Sequence, residues 1–241
     1  MKYALISDIH ANLEALEACF KMIDAEGVDA IACLGDIVGY GASPNECVEM
    51  VRERASHVVI GNHDAAVVGT TETEYFNLDA RSAVLWTRNA LTPENLAFLH
   101  GLPYTAKMGD YLLVHSSPSA PPDWIYLFNA RDAGPEFAAF EERICFFGHT
   151  HFPGFFLEWQ GKVSQQPPPK AILRPGERAI INVGSVGQPR DGDPRAGFAL
   201  FDDRTGVAEI RRVFYDIERV QSRILDTPLP KSAAERLVWG M

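Results

Sequence analysis

The chain contains 241 residues, of which 46% are hydrophobic and 22% are charged, and its formal net charge is −10 with histidine neutral. This composition is typical of a globular protein and excludes collagen-like, coiled-coil and intrinsically disordered chains. The acidic balance argues against a general nucleic-acid binder and against a polybasic membrane surface, because both require clustered cations. Taken alone, the same charge also argues against an enzyme that acts on an anionic substrate.

The first sixty residues alternate short apolar strands with helices. Strands are predicted over residues 3–6, 30–34 and 57–60. Between them, an apolar stripe from Leu13 to Ile23 indicates a helix that ends at Gly27, and Ser43-Pro44 opens a second helix. This repetition with short connections predicts right-handed βαβ units and a largely parallel sheet.

The rest of the chain changes from helices to consecutive strands. Helices are predicted over residues 79–90 and from Thr92, strands over 111–114 and 144–147, and a long surface loop over 116–129. Beyond Gly154, strands with short turns predict an antiparallel half over residues 155–159, 171–173, 179–183, 197–201 and 207–213. Two C-terminal helices are expected at about 217–240, over residues 217–225 and 232–239. The absence of a linker or repeat predicts a single domain over residues 1–241.

The cysteines and the apolar segments indicate the cellular compartment of the protein. The four cysteines occur singly, without a C-x-x-C pair, and are Cys19, Cys33, Cys47 and Cys145. Such isolated thiols are expected to be buried and reduced, which fits a cytoplasmic protein. The first apolar run ends at Asp8 and is too short for a signal peptide, and no stretch reaches the length of a membrane span.

Side chains that can bind a metal follow the carboxyl ends of five predicted strands. Five of the seven histidines occur there, with two aspartates and an asparagine: Asp8, His10, Asp36, Asn62, His63, His115, His149 and His151. The carboxyl ends of parallel strands meet at one edge of a sheet, where α/β proteins place their ligands. A single histidine would be interpreted as a surface or core residue, but so many in equivalent positions predict one common site.

The residue types indicate the kind of metal. Imidazole, carboxylate and amide ligands suit manganese, iron, zinc or nickel, and the absence of a thiolate cluster argues against a structural zinc site. The eight groups exceed the needs of one ion and are typical of two ions held roughly 3.5–4 Å apart by a shared carboxylate. We expect two divalent transition-metal ions, with Mn²⁺ preferred, and Asp36 as the bridge because it is the only carboxylate of its motif.

Other residues near these motifs have two interpretations each. Arg190 is either a phosphate ligand, since a guanidinium can bind two phosphoryl oxygens, or a solvated turn residue. Tyr40 either stacks on an aromatic part of the substrate or packs at the edge of the core. The aromatic residues of the long loop, Trp124, Tyr126 and Phe128, either cover the substrate or anchor the loop.

Five short blocks carry a family resemblance. They are Asp8-Ile9-His10, Gly35-Asp36, Gly61-Asn62-His63-Asp64, His115 and Gly148-His149-Thr150-His151. In this order they resemble the signature of the calcineurin-like metallophosphoesterase superfamily. The segment from Asn182 to Arg190 resembles the Asn-Pro-Gly-Ser block of its small bacterial phosphodiesterase branch, with Val183 in place of proline. The Asp-Arg pair that follows Gly-Asp in protein phosphatases and dinucleoside tetraphosphatases is missing, and Asp64 replaces their glutamate.

The resemblance implies an α/β fold, namely a four-layer α/β/β/α sandwich with two packed mixed sheets. It implies that one ion is held by Asp8, His10, Asp36 and His151, and a second ion by Asp36, Asn62, His115 and His149. His63 would contact the substrate phosphate and protonate the leaving group. Asp64 either orients His63 through a hydrogen bond or faces into a turn.

The function expected from these features is hydrolysis of small phosphodiesters, such as aryl, cyclic or short nucleotide esters, by in-line attack of metal-bound hydroxide. The alternatives are a phosphomonoesterase or protein phosphatase, a dinucleoside polyphosphatase, and a non-catalytic metal-binding scaffold. Metal-borne positive charge would attract a small phosphoester, while the acidic remainder of the surface still excludes long nucleic acids. We expect no membrane partner, and the C-terminal helices leave a homodimer open.

Overall fold

Two six-stranded mixed sheets face each other, and helices cover the outer side of each sheet. The computed structural model describes residues 1–74 and 76–241. Residues of both sheets, such as Leu5 and Phe146, form the apolar layer between them. A second cluster joins the first sheet to its helices, and a third cluster does so for the second sheet. The expected four-layer α/β/β/α sandwich is therefore confirmed.

Twelve strands and eight α-helices lie within the described residues. The strands are β1 (Lys2–Ile6), β2 (Ala30–Cys33), β3 (His57–Val58), β4 (Thr105–Lys107), β5 (Tyr111–Val114), β6 (Ile144–Phe147), β7 (Gly154–Trp159), β8 (Lys162–Gln166), β9 (Lys170–Ile172), β10 (Arg178–Asn182), β11 (Ala196–Asp202) and β12 (Val207–Val213). The helices are α1 (Leu13–Glu26), α2 (Pro44–Arg54), α3 (Asn62–Val68), α4 (Leu78–Ala90), α5 (Pro93–His100), α6 (Ala130–Glu136), α7 (Ile217–Leu225) and α8 (Lys231–Glu235). Short 3₁₀ turns cover Pro121–Asp123, Phe137–Ala139 and Arg236–Trp239.

Each sheet combines a parallel half with an antiparallel half. The first has the order β3-β2-β1-β11-β12-β9, in which β1, β2 and β3 are parallel and the other neighbours antiparallel. The second has the order β4-β5-β6-β10-β7-β8, in which β5, β6 and β10 are parallel. Both parallel halves are needed for the site, because their carboxyl ends carry its side chains.

Side chains alternate along the central strands and so divide the core into layers. In β1, Leu5 faces the opposite sheet and Ile6 faces the helices. In β6, Phe146 likewise lies in the layer between the sheets, and Phe147 lies in the layer between the second sheet and its helices. Strands buried on both faces appear in a sequence as continuous apolar runs, which is why the sequence predicts them well. The four cysteines are buried and unpaired, as expected.

The sequence patterns miss β4, β8, α3 and α6. The two strands lie at sheet edges and are mostly exposed, so they lack an apolar run. The two helices have 7 residues each, and α6 contains Pro135, so neither shows a clear apolar stripe. The strand predicted over residues 57–60 ends at Val58, because the chain turns there toward the start of α3 at Asn62.

The C-terminal segment packs beside the edge of the sheets that carries the strand-end motifs. An apolar cluster joins it to Tyr40 and to α4, and its members include Tyr40, Ala80, Ala83, Val220, Ile224, Leu229, Ala233 and Leu237. Arg219 and Arg223 of α7 also form ion pairs with Glu14 of α1, at 3.1 and 2.7 Å. The helix predicted over residues 232–239 is instead α8 followed by a 3₁₀ turn. Within the described ranges, no helix has both the length and the apolar character needed to cross a bilayer.

The turns after β1, β2 and β6 place polar residues in the left-handed region of backbone space. The φ angles of Asp8, His10, Asp36, His149 and His151 are 54°, 51°, 51°, 65° and 62°. For residues with a Cβ, such conformations cost on the order of 1–3 kcal/mol each and persist only where the surrounding structure enforces them. This concentration of backbone strain marks the edge of the sheets as a functional site.

Gly148 allows the two sheets to approach at this edge. A Cβ on Gly148 would overlap Ser7 Oγ and Asp8 Oδ2, whereas a Cβ on Gly154 would meet nothing within 4 Å. We therefore expect Gly148→Ala to lower the free energy of unfolding by about 2–4 kcal/mol. Gly154→Ala is the matched control and should change it by less than about 1 kcal/mol. Urea unfolding measures both values, and equal stabilities of the two variants would contradict this interpretation.

Candidate metal centre

The polar side chains predicted from the strand ends lie together at one edge of the sandwich. Each is at most 9% exposed; they are Asp8, His10, Asp36, Asn62, His63, His115, His149 and His151. The backbone N–H of Asp8 donates to the carbonyl of Gly35 at 3.0 Å, which joins the turns after β1 and β2. The backbone N–H of His149 donates to Asp8 Oδ2 at 2.9 Å, which joins the two sheets.

Backbone carbonyls determine which nitrogen of each histidine is free. The Nδ1 atoms of His10, His115 and His151 lie 3.2, 2.7 and 2.5 Å from the carbonyl oxygens of Val38, Leu34 and Gln188. A carbonyl oxygen can only accept a hydrogen bond, so each Nδ1 carries the proton. In the neutral rings Nε2 therefore presents a lone pair to the interior of the site, as in histidines that bind metals.

The free acceptor atoms face one another. His10 Nε2 lies 3.0 Å from His151 Nε2, and His151 Nε2 lies 3.2 Å from Asp8 Oδ1. Asp8 Oδ1 is buried and makes no hydrogen bond in the described structure. Lone pairs of neutral imidazoles and carboxylates repel at such distances unless a cation or a proton lies between them. These three side chains have the chemistry and the spacing of a metal-binding group.

Asp36 lies between this group and a second set of acceptors. Its Oδ2 is 3.7 Å from His10 Nε2 and 3.5 Å from His115 Nε2. His115 Nε2 is in turn 3.1 Å from Asn62 Oδ1 and 4.0 Å from Asp8 Oδ1. The intermediate position of Asp36 is the one that a carboxylate shared by two ions would occupy.

His149 joins the second set through a different nitrogen. Its Nε2 lies 2.8 Å from the carbonyl oxygen of Trp124, so Nε2 carries the proton and Nδ1 is the free acceptor. Its ring centroid lies 5.0 Å from that of His115. Tyr126 stacks against the ring of His149, at a centroid distance of 4.1 Å. The long loop thus fixes both the tautomer and the orientation of His149.

Burial lowers the pKa of three of these imidazoles, those of His10, His149 and His151, whereas the pKa of His115 is raised. Burial lowers the pKa of His149 to about 3 and holds the pKa of His10 well below its usual value. Burial also opposes protonation of His115, but the carboxylates of Asp36 and Asp8 raise its pKa to about 9. The pKa of Asp36 stays well below its usual value despite burial, because His115 faces it. A metal ion would compete with the proton of His115.

His63 occupies the first turn of α3. Its backbone N–H donates to Asp36 Oδ1 at 2.8 Å, and its ring centroid lies 5.0 Å from that of His10. Its Nδ1 is buried without a partner, and a Cβ on Gly39 would lie only 2.6 Å from that nitrogen. Burial lowers the pKa of His63 to about 4. Gly39 and Asp36 therefore hold the ring beside the site while one ring nitrogen stays without a protein partner.

Asp64 caps the start of α3 and does not orient His63. Its Oδ1 accepts the N–H of Val38 at 3.1 Å, and its Oδ2 accepts the N–H of Gly61 at 3.0 Å. The expected hydrogen bond to His63 is not observed within the described residues. Burial, followed by the charge of Asp36, raises the pKa of Asp64 to about 7. Of the two roles left open for Asp64, these hydrogen bonds favour the one in which the carboxylate faces the turn and holds it in shape.

Arg190 and Tyr40 lie beside the centre, next to the C-terminal segment. Arg190 Nη2 donates to Gln188 Oε1 at 2.9 Å, and Arg190 Nε is buried without a partner. After burial, the positive charge of Arg190 contributes to the low pKa of His63, so Arg190 lies close to the centre. Tyr40 is 6% exposed, and its ring centroid lies 4.9 Å from that of His10. Tyr40 therefore packs at the edge of the core and also borders the site.

A cleft of about 290 Å³ opens beside the centre. Its lining combines candidate ligands with aromatic, polar and acidic residues: Tyr40, Asn62, His63, Thr71, Glu72, Phe76, Asn77, Ala80, Asp123, Trp124, Tyr126 and His149. Trp124 Nε1 donates to Thr71 Oγ1 at 3.2 Å and so anchors the long loop. Tyr126 and Phe128 stack on each other and are 47% and 50% exposed. The loop thus both packs on the protein and presents aromatic surface beside the site.

Two contributions to the site are missed by reasoning from the sequence. The first is the set of backbone carbonyls that select the histidine tautomers, which no residue type can reveal. The second is Arg236, whose Nη1 lies 3.5 Å from Gln188 Oε1 although the two residues are 48 positions apart. Gln188 lies in the segment from Asn182 to Arg190, but no sequence pattern distinguishes it as a contact of Arg236.

The buried cluster has the chemistry of a group that could hold a metal ion. The sequence profile of the calcineurin-like phosphoesterase superfamily domain matches residues 1–206, and the chain belongs to this family. The resemblance of the five sequence blocks is thereby confirmed.

Similar proteins support this assignment over the full chain. The metallophosphoesterase from Sphaerobacter thermophilus is 45% identical, with a TM-score of 0.88 and coverage of 100% of this chain and 99% of that one. The uncharacterized protein MJ0912 from Methanocaldococcus jannaschii is 41% identical over 98% of this chain and 97% of its own. The hypothetical protein PH1004 from Pyrococcus horikoshii OT3 is 21% identical, with a TM-score of 0.81 and coverage of 100% and 98%, and shares the fold.

The facing acceptor atoms predict that metal binding stabilises the protein. Saturating Mn²⁺ should raise the melting temperature of metal-free protein by roughly 5–10 °C, because a ligand at a hundredfold excess over Kd adds about 2.7 kcal/mol. His115→Gln should reduce this shift and the bound metal, whereas the exposed His100→Gln serves as control. Differential scanning fluorimetry and elemental analysis measure both quantities. An identical shift in the two variants would exclude His115 from the metal site.

The role of Asp64 as a cap can be tested separately. Asp64→Ala leaves the buried N–H groups of Gly61 and Val38 without acceptors, so the free energy of unfolding should fall by about 2–4 kcal/mol. Asp64→Asn keeps one acceptor oxygen and should lose less. Chemical denaturation of the two variants provides the comparison. Full stability of Asp64→Ala would show that neither hydrogen bond matters.

Proposed function

We propose that this protein is a phosphodiesterase that uses two divalent ions to hydrolyse small phosphodiesters. The observation that carries the proposal is the pair of lone-pair contacts centred on Asp8, His10 and His151, next to a cleft of about 290 Å³. Such contacts are relieved by a cation or a proton between the acceptors, and a cleft of this size suits a small ligand. Membership of the phosphoesterase family supplies the reaction class.

The donor atoms suggest two overlapping sets of ligands. One ion would be held by Asp8, His10, Asp36 and His151, and the other by Asp36, Asn62, His115 and His149. Imidazole, carboxylate and amide donors without thiolates suit Mn²⁺, and they also suit Fe, Zn or Ni. When bound, the ions supply an activated water for attack on phosphorus and offset charge on the phosphoryl oxygens.

The side chains of the chain itself position the ester and move the proton. His63 lines the cleft, and it is the candidate to bind the phosphate and protonate the departing oxygen. The negative charge of a bound phosphate would raise the pKa of His63 from about 4 toward the range in which it can donate. Arg190 has an unused buried Nε–H that would bind an anionic group of the ester.

The surroundings of the site favour small substrates. The net charge of −10 repels long nucleic acids, and the positive charge would be confined to the ions and nearby arginines. Unpaired buried cysteines fit a reducing, cytoplasmic environment. Exposed aromatic rings of Tyr126 and Phe128 beside the cleft suit an aryl or nucleoside group of the ester.

A substrate panel separates this function from its alternatives. Bis(p-nitrophenyl) phosphate, p-nitrophenyl phosphate, cyclic nucleotides and dinucleoside polyphosphates would be compared under added Mn²⁺. Preference for the diesters supports the proposal, and preference for the monoester or the dinucleotides would replace it. Bound metal without turnover of any ester would indicate a scaffold.

His63→Gln tests the proposed role of His63. The variant should keep its metal content and lose roughly 10²–10⁴-fold in kcat on the preferred diester, because a general acid contributes about that much. The exposed His100→Gln is the control and should retain activity. Elemental analysis and steady-state kinetics measure both properties, and full activity of His63→Gln would exclude His63 as the proton donor.

A further inference from the structure

A cluster of positive charge surrounds Gln188, next to the candidate metal centre. Gln188 Oε1 accepts hydrogen bonds from Arg190 Nη2 at 2.9 Å and from Arg236 Nη1 at 3.5 Å. The backbone carbonyl of Gln188 accepts the Nδ1–H of His151 at 2.5 Å. Two guanidinium groups thus share one neutral acceptor, in a residue that also binds a candidate metal ligand.

No acidic side chain neutralises these two arginines in residues 1–74 and 76–241. Several other arginines form ion pairs, as Arg212 does with Asp191 and Arg223 with Glu14, but neither Arg190 nor Arg236 has a carboxylate partner there. Arg190 Nε is also buried and has no acceptor. In a chain with a net charge of −10, two adjacent unpaired guanidinium groups with an unused donor form a site for an anion.

Tyr40 connects the arginine cluster to the cleft. The guanidinium carbon of Arg236 lies 5.7 Å from the centroid of the Tyr40 ring, which is within the range of a cation–π contact. The other neighbours of this ring include His63, at a centroid distance of 4.7 Å, and Tyr40 also lines the cleft. An anion bound by the arginines would therefore lie close to an ester bound at the metal centre.

The C-terminal segment supplies the second arginine. Arg236 lies beyond residues 1–206, which match the family profile. It begins the 3₁₀ turn Arg236–Trp239, whose Leu237 packs in the same apolar cluster as Tyr40. The packing of this segment thus gives the site a positive charge that the strand-end motifs do not provide.

We infer that Arg190 and Arg236 bind a second anionic group of the substrate. The preferred substrate is then a phosphodiester that carries a further phosphate or carboxylate near the scissile phosphorus. This inference rests on the proposed function, because it specifies which esters the same centre prefers. Arg236 acts as a specificity-determining residue, since charge-assisted hydrogen bonds from a guanidinium distinguish esters that have a second charge from esters that lack one.

The test uses three esters and the Mn²⁺-loaded protein. Ethyl p-nitrophenyl phosphate has one charged group, and its 2-phosphonoethyl and 2-carboxyethyl analogues have a second. The wild type should prefer the analogues in kcat/KM, and Arg236→Gln should reduce this preference roughly 10- to 100-fold. The analogue with the larger loss identifies phosphate or carboxylate as the second group. Arg204→Gln removes an exposed charge between β11 and β12 and is the matched control.

The outcomes separate the inference from the function on which it rests. An unchanged preference in Arg236→Gln, or an equal loss for all three esters, overturns the inference and indicates a structural role. If the protein hydrolyses none of the three esters, the proposed function is overturned. The inference is then tested by the binding of two phosphonates. Ethane-1,2-bisphosphonate should raise the melting temperature of the Mn²⁺-loaded wild type more than ethylphosphonate does, and Arg236→Gln should lose that difference. Equal shifts in the wild type overturn the inference.

Discussion

The site depends on buried acceptor atoms that face one another. His10 Nε2 and His151 Nε2 lie 3.0 Å apart because the Nδ1–H of each ring is bound to a backbone carbonyl. Neither ring can turn a donor toward the other without breaking that bond. Asp8 and Asp36 add carboxylate oxygens to the same space. Only cations or added protons remove the repulsion between these acceptor atoms. The surrounding fold holds the atoms in place despite this repulsion.

The backbone that holds the candidate ligands is strained, and turns from both sheets contribute to the strain. Five candidate ligands have left-handed φ angles between 51° and 65°, a conformation that costs on the order of 1–3 kcal/mol for each residue with a Cβ. Close approaches at Gly148 and Gly61 leave no room for a Cβ. Asp64 closes the turn before α3 by accepting two backbone N–H groups. The large apolar layers on both sides of each sheet offset this cost, because they bury continuous runs of strand residues.

Two arginines contribute positive charge beside the candidate metal centre. The chain is acidic overall, yet two arginines that have no acidic partner in the described residues, Arg190 and Arg236, meet at Gln188 beside the centre. Gln188 also holds His151 through its backbone carbonyl. A single residue thus links the candidate metal ligands to the positive charge that the C-terminal segment contributes. Attraction for an anion is local, and the rest of the surface does not share it.

The sequence by itself determined the kind of site and its place in the fold. Apolar runs followed by Asp8, Asp36, His115 and His149 predict a cluster of ligands, because the carboxyl ends of parallel strands share one edge. The short α3 helix, the direction of the Asp64 carboxylate and the position of Arg236 were decided only by tertiary structure. So were the histidine tautomers. The physical reason is that these features depend on backbone carbonyls, which every residue carries, and on packing between segments far apart in the chain, which leaves no local pattern.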